Sequence, residues 1–259
     1  MPTPAELQEQ FMTAFGSTLS RIERPEDKWI HVTPQGKRIV HAIKRLSQES
    51  CTVLLTGPSG VGKSLLAAGL THVSGKFYTE NCSAFPDKTL GYARLHGYKK
   101  GAFTGALEDK PSIFTRPTPP TGAHHTIFLD EIGDMPLEMQ GQLLRILQDK
   151  VITPLGSTED TTITNVRIVA ATNKDLQSLV NKGEFRADLF GRLMEIIIHI
   201  PSLTQRQDDA LAICDKFQLP KDITDMLFLD HTSLDLYGVR HIQALAKRYQ
   251  IFGDVNFLT

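Results

Sequence analysis

The residues best suited to chemistry form a glycine-rich run that ends in a lysine and a serine. The run reads Gly57-Pro58-Ser59-Gly60-Val61-Gly62-Lys63-Ser64, and Leu65 continues it into an apolar stretch. It fits the phosphate-binding pattern G-x-x-x-x-G-K-[ST] completely, between a strand-like segment and a helix-like one. Glycines let backbone N–H groups turn towards a phosphate, and the N-terminus of the helix adds positive potential. The pattern predicts that Lys63 reaches the β- and γ-phosphates of ATP and that Ser64 ligates Mg²⁺.

Two adjacent carboxylates supply the second part of the predicted site. Asp130 and Glu131 follow the apolar segment 126–129, which has the composition of a buried strand. Since ligands bind outside the carboxyl ends of parallel strands, both acids should face the phosphate-binding loop. We expect Asp130 to hold the Mg²⁺ shell and Glu131 to polarise the attacking water. Asn173 ends the next apolar segment and can orient water or the γ-phosphate, although an asparagine there often only caps a strand or a helix.

Strand-like and helix-like segments alternate along most of the chain. The strand-like segments are residues 51–56, 77–81, 126–130, 166–171 and 194–200, and the helix-like ones among them are 36–48, 64–73 and 137–148. This alternation predicts an α/β fold with a parallel central sheet covered on both faces. After Pro201 only helical patterns remain, at residues 207–217, 224–228 and 238–249. We therefore expect a polar N-terminal segment (1–35), an α/β nucleotide-binding domain (36–203) and a small α-helical lid domain (204–259).

Composition narrows the class of protein. The 259 residues are 41% hydrophobic and 22% charged with a formal net charge of −1, an ordinary globular profile that does not favour a nucleic-acid or membrane binder. No apolar run approaches the roughly 20 residues of a spanning helix, and the N-terminus lacks a signal pattern, so a cytoplasmic location is expected. The three cysteines, Cys51, Cys82 and Cys214, have no metal or disulfide spacing and are expected to be small buried apolar residues.

Two segments before the acidic strand carry weaker signals. His124 and His125 are adjacent, which indicates a metal site only weakly, and a solvated loop is the preferred interpretation. Prolines recur between residues 111 and 120, and this stretch is predicted to be a surface loop.

The order of the phosphate-binding loop, the Asp-Glu strand and the Asn-tipped strand resembles the AAA+ P-loop ATPases. Within this class, residues Gly101-Ala102-Phe103-Thr104-Gly105-Ala106 read GAFTGA, the signature loop of bacterial enhancer-binding proteins that activate sigma-54 RNA polymerase. Segments 128–136, 155–156, 170–173 and 185–189 also match that family, in the right order. The resemblance runs from about Ile39 to Ile213, and more loosely to Arg248.

This resemblance implies an assembly and an activity. Members of the family form a homo-oligomer, a hexameric ring, with ATP and Mg²⁺ at the subunit junctions. They hydrolyse ATP and remodel the sigma-54 RNA polymerase holoenzyme to drive open promoter complex formation. The signature loop tips a hairpin-like insertion in a helix and contacts sigma-54 when ATP is bound. Its glycines permit movement, and Phe103 beside Thr104 is expected to be an exposed apolar contact.

The resemblance also assigns roles to single residues. Arg186 and Arg192 match the family pattern FRxDLxxRL, whose arginines reach the γ-phosphate of the neighbouring subunit, a contact worth roughly 10³–10⁵ in rate. Taken alone, either could be an ordinary arginine on a surface helix. Asn81 matches the asparagine that holds the catalytic glutamate, here Glu131, away from water. Arg240 stands where the family has a lid arginine that contacts nucleotide.

The sequence departs from the family in the loop and the lid. Ser64 replaces a glutamate that most of these activators carry. In the lid, the family's Trp-Pro-Gly-Asn-x-Arg-Glu-Leu becomes Asp235-Leu236-Tyr237-Gly238-Val239-Arg240-His241-Ile242. Residues 224–249 could be read as a DNA-binding helix-turn-helix, but their position, Arg240 and a modest charge favour a lid. DNA binding is therefore not evident, and both an excised ATPase domain and a natural activator without a DNA anchor fit the sequence.

Two other functional classes stay open. One is a different AAA+ protein-remodelling machine, such as a helicase loader or a chelatase subunit, against which the GAFTGA loop argues. The other is a nucleotide-dependent scaffold or co-activator with weak hydrolysis, which the altered lid sequence favours. The presence of Lys63, Asp130 and Glu131 favours a hydrolysing enzyme over this scaffold.

Overall fold

The computed structural model describes residues 28–71, 74–84, 88–115, 125–229 and 231–252. The strands are β1 (Val53–Thr56), β2 (Phe77–Asn81), β3 (Gly97–Tyr98), β4 (Lys110–Pro111), β5 (His125–Asp130), β6 (Val151–Ile152), β7 (Thr161–Thr162), β8 (Val166–Thr172) and β9 (Ile196–His199). The helices are α1 (Pro34–Leu46), α2 (Lys63–Gly69), α3 (Lys88–His96), α4 (Leu137–Asp149), α5 (Leu176–Asn181), α6 (Ala187–Leu193), α7 (Gln207–Lys216), α8 (Lys221–Leu229), α9 (His231–Tyr237) and α10 (Val239–Phe252). Parts of three predicted segments lie outside the described residues. They are residues 1–27 of the N-terminal segment, 116–124 in and after the proline-rich loop, and 253–259 of the lid.

A parallel sheet of five strands forms the centre, in the order β2-β5-β8-β1-β9. The inner strands β5, β8 and β1 are almost entirely buried, as expected for strands covered by helices on both faces, whereas the edge strands β2 and β9 are partly exposed. Successive residues point to opposite faces: Leu54 joins the core under α4 and α6, whereas Leu55 joins the core under α1 and α2. All five strand segments predicted from the sequence are therefore confirmed, along with the parallel arrangement.

The register brings the polar strand ends to one edge of the sheet. Thr56 pairs with Thr172 on one side and with His199 on the other. Asn81 pairs with Asp130 in the same way. The loop after β1, the acids at the end of β5 and the asparagine after β8 consequently share the carboxyl edge, as the sequence predicts.

The helices after Pro201 pack around a separate apolar core, and we keep the name lid for them. Its central side chains are Leu203, Ile213, Leu227, Leu234 and Ile242. Ile30, which precedes α1, packs against this lid core, so the chain touches the lid before it enters the sheet domain. None of the described helices is long and apolar enough to cross a membrane.

Two expectations about loops are wrong for the residues that the structure describes. In the proline-containing stretch, Ile113 and Phe114 are buried, because their apolar side chains fill the core and the Phe114 N–H donates to Ser112 Oγ at 3.0 Å. His125 is also buried rather than solvated, because it extends β5 by one residue and its N–H donates to the Asn165 carbonyl at 2.8 Å. His124 lies outside the described residues. Cys82 and Cys214 are buried as predicted, whereas Cys51 is only half-buried.

Candidate nucleotide-binding site

The phosphate-binding loop connects the end of β1 at Thr56 to the start of α2 at Lys63. Gly60 lies in the left-handed region, with φ +74°. A side chain there would collide with the backbone carbonyl of Tyr237, at the end of lid helix α9. Glycine is therefore required both by the turn and by the close approach of the lid. Leu65, in the first turn of α2, packs half-buried against the core under α1.

Lys63 lies inside the loop, with a side chain that is only 6% exposed. Its Nζ donates to the carbonyls of Gly57 and Pro58, at 2.8 Å each. Burial lowers the pKa of Lys63, while the nearby carboxylates of Glu131 and Asp130 oppose this effect. The ammonium group is thus held at the point where the loop turns, and a bound phosphate would compete with these two carbonyls for its protons.

Ser64 and Asp130 form the pair suited to a metal. The Ser64 side chain is close enough to the Asp130 carboxylate to lower its pKa, and Asp130 Oδ1 accepts from the Glu131 N–H at 3.1 Å. Burial raises the pKa of Asp130, whereas the Glu131 N–H, Lys63 and Arg240 act to lower it. Hydroxyl and carboxylate oxygens are ligands that Mg²⁺ prefers, so the residues fit a Mg²⁺ ion carried with a nucleotide.

Glu131 has an oxygen available for a water molecule. It adopts a left-handed backbone conformation (φ +52°), and its buried Oε2 has no hydrogen-bond partner among the described residues. Burial, and then the charge of Asp130, raise its pKa, while Lys63 and the backbone of Asn173 act to lower it. A carboxylate with an elevated pKa and an unpartnered acceptor suits the role of general base.

The two asparagines are placed differently. Asn173 follows β8, is exposed, and lies close enough to Glu131 for its backbone to lower the pKa of that carboxyl. Asn81 lies beside Asp130 in the strand register, but its Oδ1 accepts from Ser83 N at 3.0 Å and Ser83 Oγ at 2.8 Å. A contact between the Asn81 and Glu131 side chains therefore stays a prediction for another state of the molecule.

The lid completes the surroundings of the loop despite its altered sequence. Arg240 Nη1 donates to Ser59 Oγ at 3.3 Å, and the charge of Arg240 reaches both Lys63 and Asp130. The backbone N–H of Val239, the first residue of α10, donates to the Gly60 carbonyl at 3.0 Å. The structure therefore places Arg240 at the loop, as the resemblance implied.

The described contacts of Arg186 and Arg192 are with residues outside the phosphate-binding loop. Arg186 precedes α6 and is exposed, with Nη2 2.7 Å from Asp188 Oδ2 and its N–H bonded to Gln140 Oε1 at 2.8 Å. Arg192 is exposed near the end of α6, close enough to Lys150 to affect its pKa. The structure does not bring these arginines to the loop of their own chain.

The GAFTGA segment is a compact turn on a short hairpin. β3 and β4 pair antiparallel, and within the turn Gly101 N donates to Ala106 O at 2.9 Å and Ala106 N to Phe103 O at 3.0 Å. Phe103 is half-buried rather than exposed, because its ring packs edge-on against Tyr98 with centroids 5.0 Å apart. Thr104 is exposed, and so is Leu107, at 82%.

Asp109 fixes the base of this turn. Its carboxylate accepts from Lys99 Nζ at 3.0 Å and from the Lys100 N–H at 2.8 Å. These hydrogen bonds, the backbone one first, lower the pKa of Asp109. These bonds tie the two sides of the turn together where it leaves β3.

Sequence reasoning missed several residues that shape the site. Leu107 directly follows the signature, and an apolar residue beside a Gly-flanked loop was an available signal. Trp29 and Arg206, which pack together next to the loop, were not predicted. A lone tryptophan just before the first helix was the only sign of Trp29, and nothing in the sequence pairs it with a residue so distant along the chain.

A cleft of about 580 Å³ opens beside the loop, between the sheet edge and lid helix α9. Among its lining residues are Thr56, Asn173, Phe190, His199 and Leu236. It shares Gly57, Pro58 and Ser59 with the nucleotide site but is not lined by Lys63, Asp130 or Glu131, so it is a neighbouring cleft.

The sheet order, the phosphate-binding loop, the acidic strand end and the lid arginine define an AAA+ P-loop domain. Comparison with known proteins gives the family: the Sigma-54 interaction domain matches residues 30–199. The chain belongs to this family of sigma-54-dependent transcriptional activators.

Similar proteins support this placement. The chain is 38% identical over 191 residues to the transcriptional regulatory protein GlrR of Escherichia coli (strain K12), covering 72% of this chain and 41% of that one. It is 41% identical over 188 residues to the hydrogenase transcriptional regulatory protein HoxA of Bradyrhizobium diazoefficiens, covering 71% and 37%. The chain thus spans less than half the length of these two relatives. Crystal structures of NtrX from Brucella abortus share the fold, at 23% identity with TM-scores of 0.75 (ATP complex, 98% of this chain and 61% of that one) and 0.73 (ADP complex, 95% and 56%).

Proposed function

We propose that this chain is the ATPase module of a ring-forming activator that remodels the sigma-54 RNA polymerase holoenzyme and so drives open promoter complex formation. The observation that carries the proposal is the unpartnered Glu131 Oε2 next to the Ser64–Asp130 pair. A buried acceptor without a partner is uncommon unless a ligand or a water supplies the missing proton. Glu131 Oε2 lies at the edge of the sheet where the phosphate-binding loop begins.

Each residue of the site has a role in ATP hydrolysis under this proposal. Lys63 exchanges the carbonyls of Gly57 and Pro58 for phosphate oxygens, and Ser64 and Asp130 hold Mg²⁺. The metal, when bound, neutralises charge on the phosphates. Glu131 Oε2 orients the attacking water and accepts its proton. Asn173, exposed after β8, contacts the water or the γ-phosphate.

The remaining positive charge that stabilises the γ-phosphate during hydrolysis comes from a second copy of the chain. Arg186 directly precedes α6 and Arg192 lies near its end, and both are exposed. In a ring of identical subunits, a hexamer, these guanidinium groups reach the γ-phosphate held by the neighbour. A site completed in this way makes hydrolysis depend on assembly, because a single chain lacks part of the stabilising charge.

The partner contact is assigned to the tip of the β3–β4 hairpin. Thr104 and Leu107 are among its exposed side chains, and Asp109 holds its base. Relatives at 38–41% identity are named as transcriptional regulators, and NtrX was crystallised with ATP. Both support the proposal, which makes sigma-54 the partner and ATP with Mg²⁺ the substrate and cofactor.

The test measures phosphate release and partner binding in the same preparation. We expect the purified chain to release phosphate from ATP only with Mg²⁺, and Lys63→Ala to lose most ATP binding. We also expect capture of sigma-54 in the presence of an ATP transition-state analogue. Nucleotide binding without any hydrolysis would favour the scaffold, and hydrolysis without sigma-54 capture would favour a different AAA+ machine.

A further inference from the structure

Trp29, the single tryptophan of the chain, lies against the phosphate-binding loop. Its side chain is 4% exposed, and its Nε1 donates to the Val61 carbonyl at 3.1 Å. The ring edge also touches Gly62, where a side chain would come within 2.5 Å of Nε1 and where φ is +99°. The indole therefore fixes one carbonyl of the loop and fills the space that glycine leaves open.

The other side of the indole faces a buried charge. The guanidinium carbon of Arg206 lies 4.6 Å from the centroid of the Trp29 ring, and the Arg206 side chain is 1% exposed. Its Nη1 is 2.8 Å from Asp209 Oδ2, while its Nη2 has no hydrogen-bond partner among the described residues. Burial lowers the pKa of Arg206, although Asp209 opposes the effect. A cation–π contact with the face of the Trp29 ring therefore offsets part of the desolvation cost of burying the Arg206 guanidinium.

Asp209 joins this pair to the segment before α1. Its Oδ1 accepts from Val32 N at 2.7 Å and from Thr33 N at 2.8 Å, and its Oδ2 accepts from Thr33 Oγ1 at 3.0 Å. Asp209 belongs to α7, the first helix of the lid. A continuous set of contacts consequently runs from Val61 in the loop through Trp29 and Arg206 to the lid.

We propose that Trp29 and Arg206 are positioning residues for nucleotide binding, and that they hold the loop in the conformation that accepts phosphate by tying it to the lid. Neither residue is a catalytic group, because each acts through the backbone of residues 61–62. The inference rests on the proposed function, since it takes the loop to be a nucleotide site. It predicts an effect on the affinity for ATP and little effect on the chemical step.

Trp29→Phe tests the hydrogen bond while keeping an aromatic ring under Arg206. Losing one neutral hydrogen bond should raise the Kd for ATP, measured by equilibrium dialysis, about three- to tenfold. The kcat should change by less than about twofold, because an interaction made equally in ground and transition states affects KM alone. The matched control is Phe114→Leu, a buried aromatic in the opposite core, which should lower the melting temperature and leave the Kd unchanged.

Trp29→Leu and Arg206→Met test the contact between ring and cation. Each should raise the Kd for ATP more than Trp29→Phe does. The double variant should raise it no further than the worse single variant, because the two residues act through one contact. Effects that multiply independently would show that the ring and the cation are not linked.

The emission of the single tryptophan gives a second readout in the unmodified chain. Addition of Mg-ATP should change Trp29 fluorescence with the same Kd as dialysis, and Lys63→Ala should show no change. If the wild-type chain binds ATP by dialysis but Trp29 emission and the Trp29→Phe affinity are both unaffected, the inference is wrong. If the wild-type chain does not bind ATP at all, the proposed function has failed instead.

Discussion

The backbone N–H of Val239 donates to the carbonyl of Gly60 at 3.0 Å, so the first residue of the last lid helix is bonded to the middle of the phosphate-binding loop. The preceding residue, Gly238, also lies against Gly60: a Cβ atom at position 238 would be 2.7 Å from the Gly60 carbonyl oxygen. The two glycines allow two backbones to meet without side chains between them. Lid position and loop conformation are therefore set by the same contact.

Gly238→Ala should separate the lid from the loop. The added methyl group meets the Gly60 carbonyl, and the φ of +53° is unfavourable for alanine, so Arg240 should lose its contact with Ser59. We expect a rise in KM for ATP of about tenfold or more, corresponding to roughly 1.4 kcal/mol. Gly183→Ala is the matched control, because it has a similar φ of +72° with nothing within 4 Å. Equal effects in the two variants would show that strain, not the contact, is responsible.

Glu131→Gln should bind ATP but hydrolyse it about 10²–10⁴ times more slowly, the usual contribution of a general base. The substitution keeps the shape of the side chain and removes the carboxylate that accepts the proton. Phosphate release and ATP dialysis on the same sample separate the two steps. Near-normal turnover in this variant would rule out Glu131 as the base.

The same residue predicts the direction of the pH dependence. Burial raises the pKa of Glu131, and the base works only when ionised, so kcat should fall on acidification at a pH above the ordinary glutamate value of about 4.3. Asp130, whose pKa is also raised by burial, contributes to the fall in the same direction. The residual rate of Glu131→Gln should therefore have a shallower acid limb than the wild type. Identical limbs would assign the titration to Asp130 alone.

Thr104→Ala and Leu107→Ser should separate ATP hydrolysis from partner contact. Both side chains are exposed at the hairpin tip and neither packs against the sheet, so ATPase activity should stay within about twofold. Capture of sigma-54 with the transition-state analogue should be lost in Thr104→Ala and reduced in Leu107→Ser. Leu229→Ser, at a lid residue that is 84% exposed, is the matched control for removing a surface leucine. Loss of ATPase activity together with capture would indicate a folding role.

Specific ATPase activity should rise cooperatively with protein concentration. Arg192 and Arg186 are exposed and have no described contact with their own loop, so under the proposed function a neighbouring chain supplies this charge for hydrolysis. Arg192→Ala and Lys63→Ala should each turn over poorly alone, and mixing them should restore part of the activity at junctions where both intact residues meet. A specific activity that stays constant at concentrations where sizing shows only monomer would contradict completion of the site by a neighbour.

Much of the α/β domain could be predicted because its signals are local. The strand segments are short apolar runs, and the loop motif, the Asp130–Glu131 pair and Asn173 follow three of them directly. Parallel pairing then brings these strand ends together, as the pairing of Asn81 with Asp130 illustrates. Phe114 was missed because the prolines around it indicate a loop, while only the three-dimensional core explains its burial.

The contacts made by the lid could not be predicted in the same way. Gly60 meets Tyr237, and Trp29 meets Arg206, across separations of more than a hundred residues, and no periodicity in either segment indicates the pairing. The lid sequence departs from the family pattern, yet Arg240 reaches Ser59. Backbone contact through Gly238 and Val239, which depends little on side-chain identity, accounts for this.

The bonds between Asp209 and the segment at Val32 and Thr33 also determine how the protein melts. The sheet domain and the lid have separate apolar cores, which could in principle unfold one after the other. Asp209, however, accepts a hydrogen bond from the Thr33 N–H just before α1. It also pairs with Arg206, which packs on the Trp29 ring, and Trp29 is bonded to the phosphate-binding loop. Opening the lid alone would strip partners from Arg206 and from the start of α1 together, so both cores should unfold in one transition. A fragment cut to the family match at 30–199 would lack Trp29, Arg206 and Asp209, and should therefore melt at a lower temperature than the whole chain.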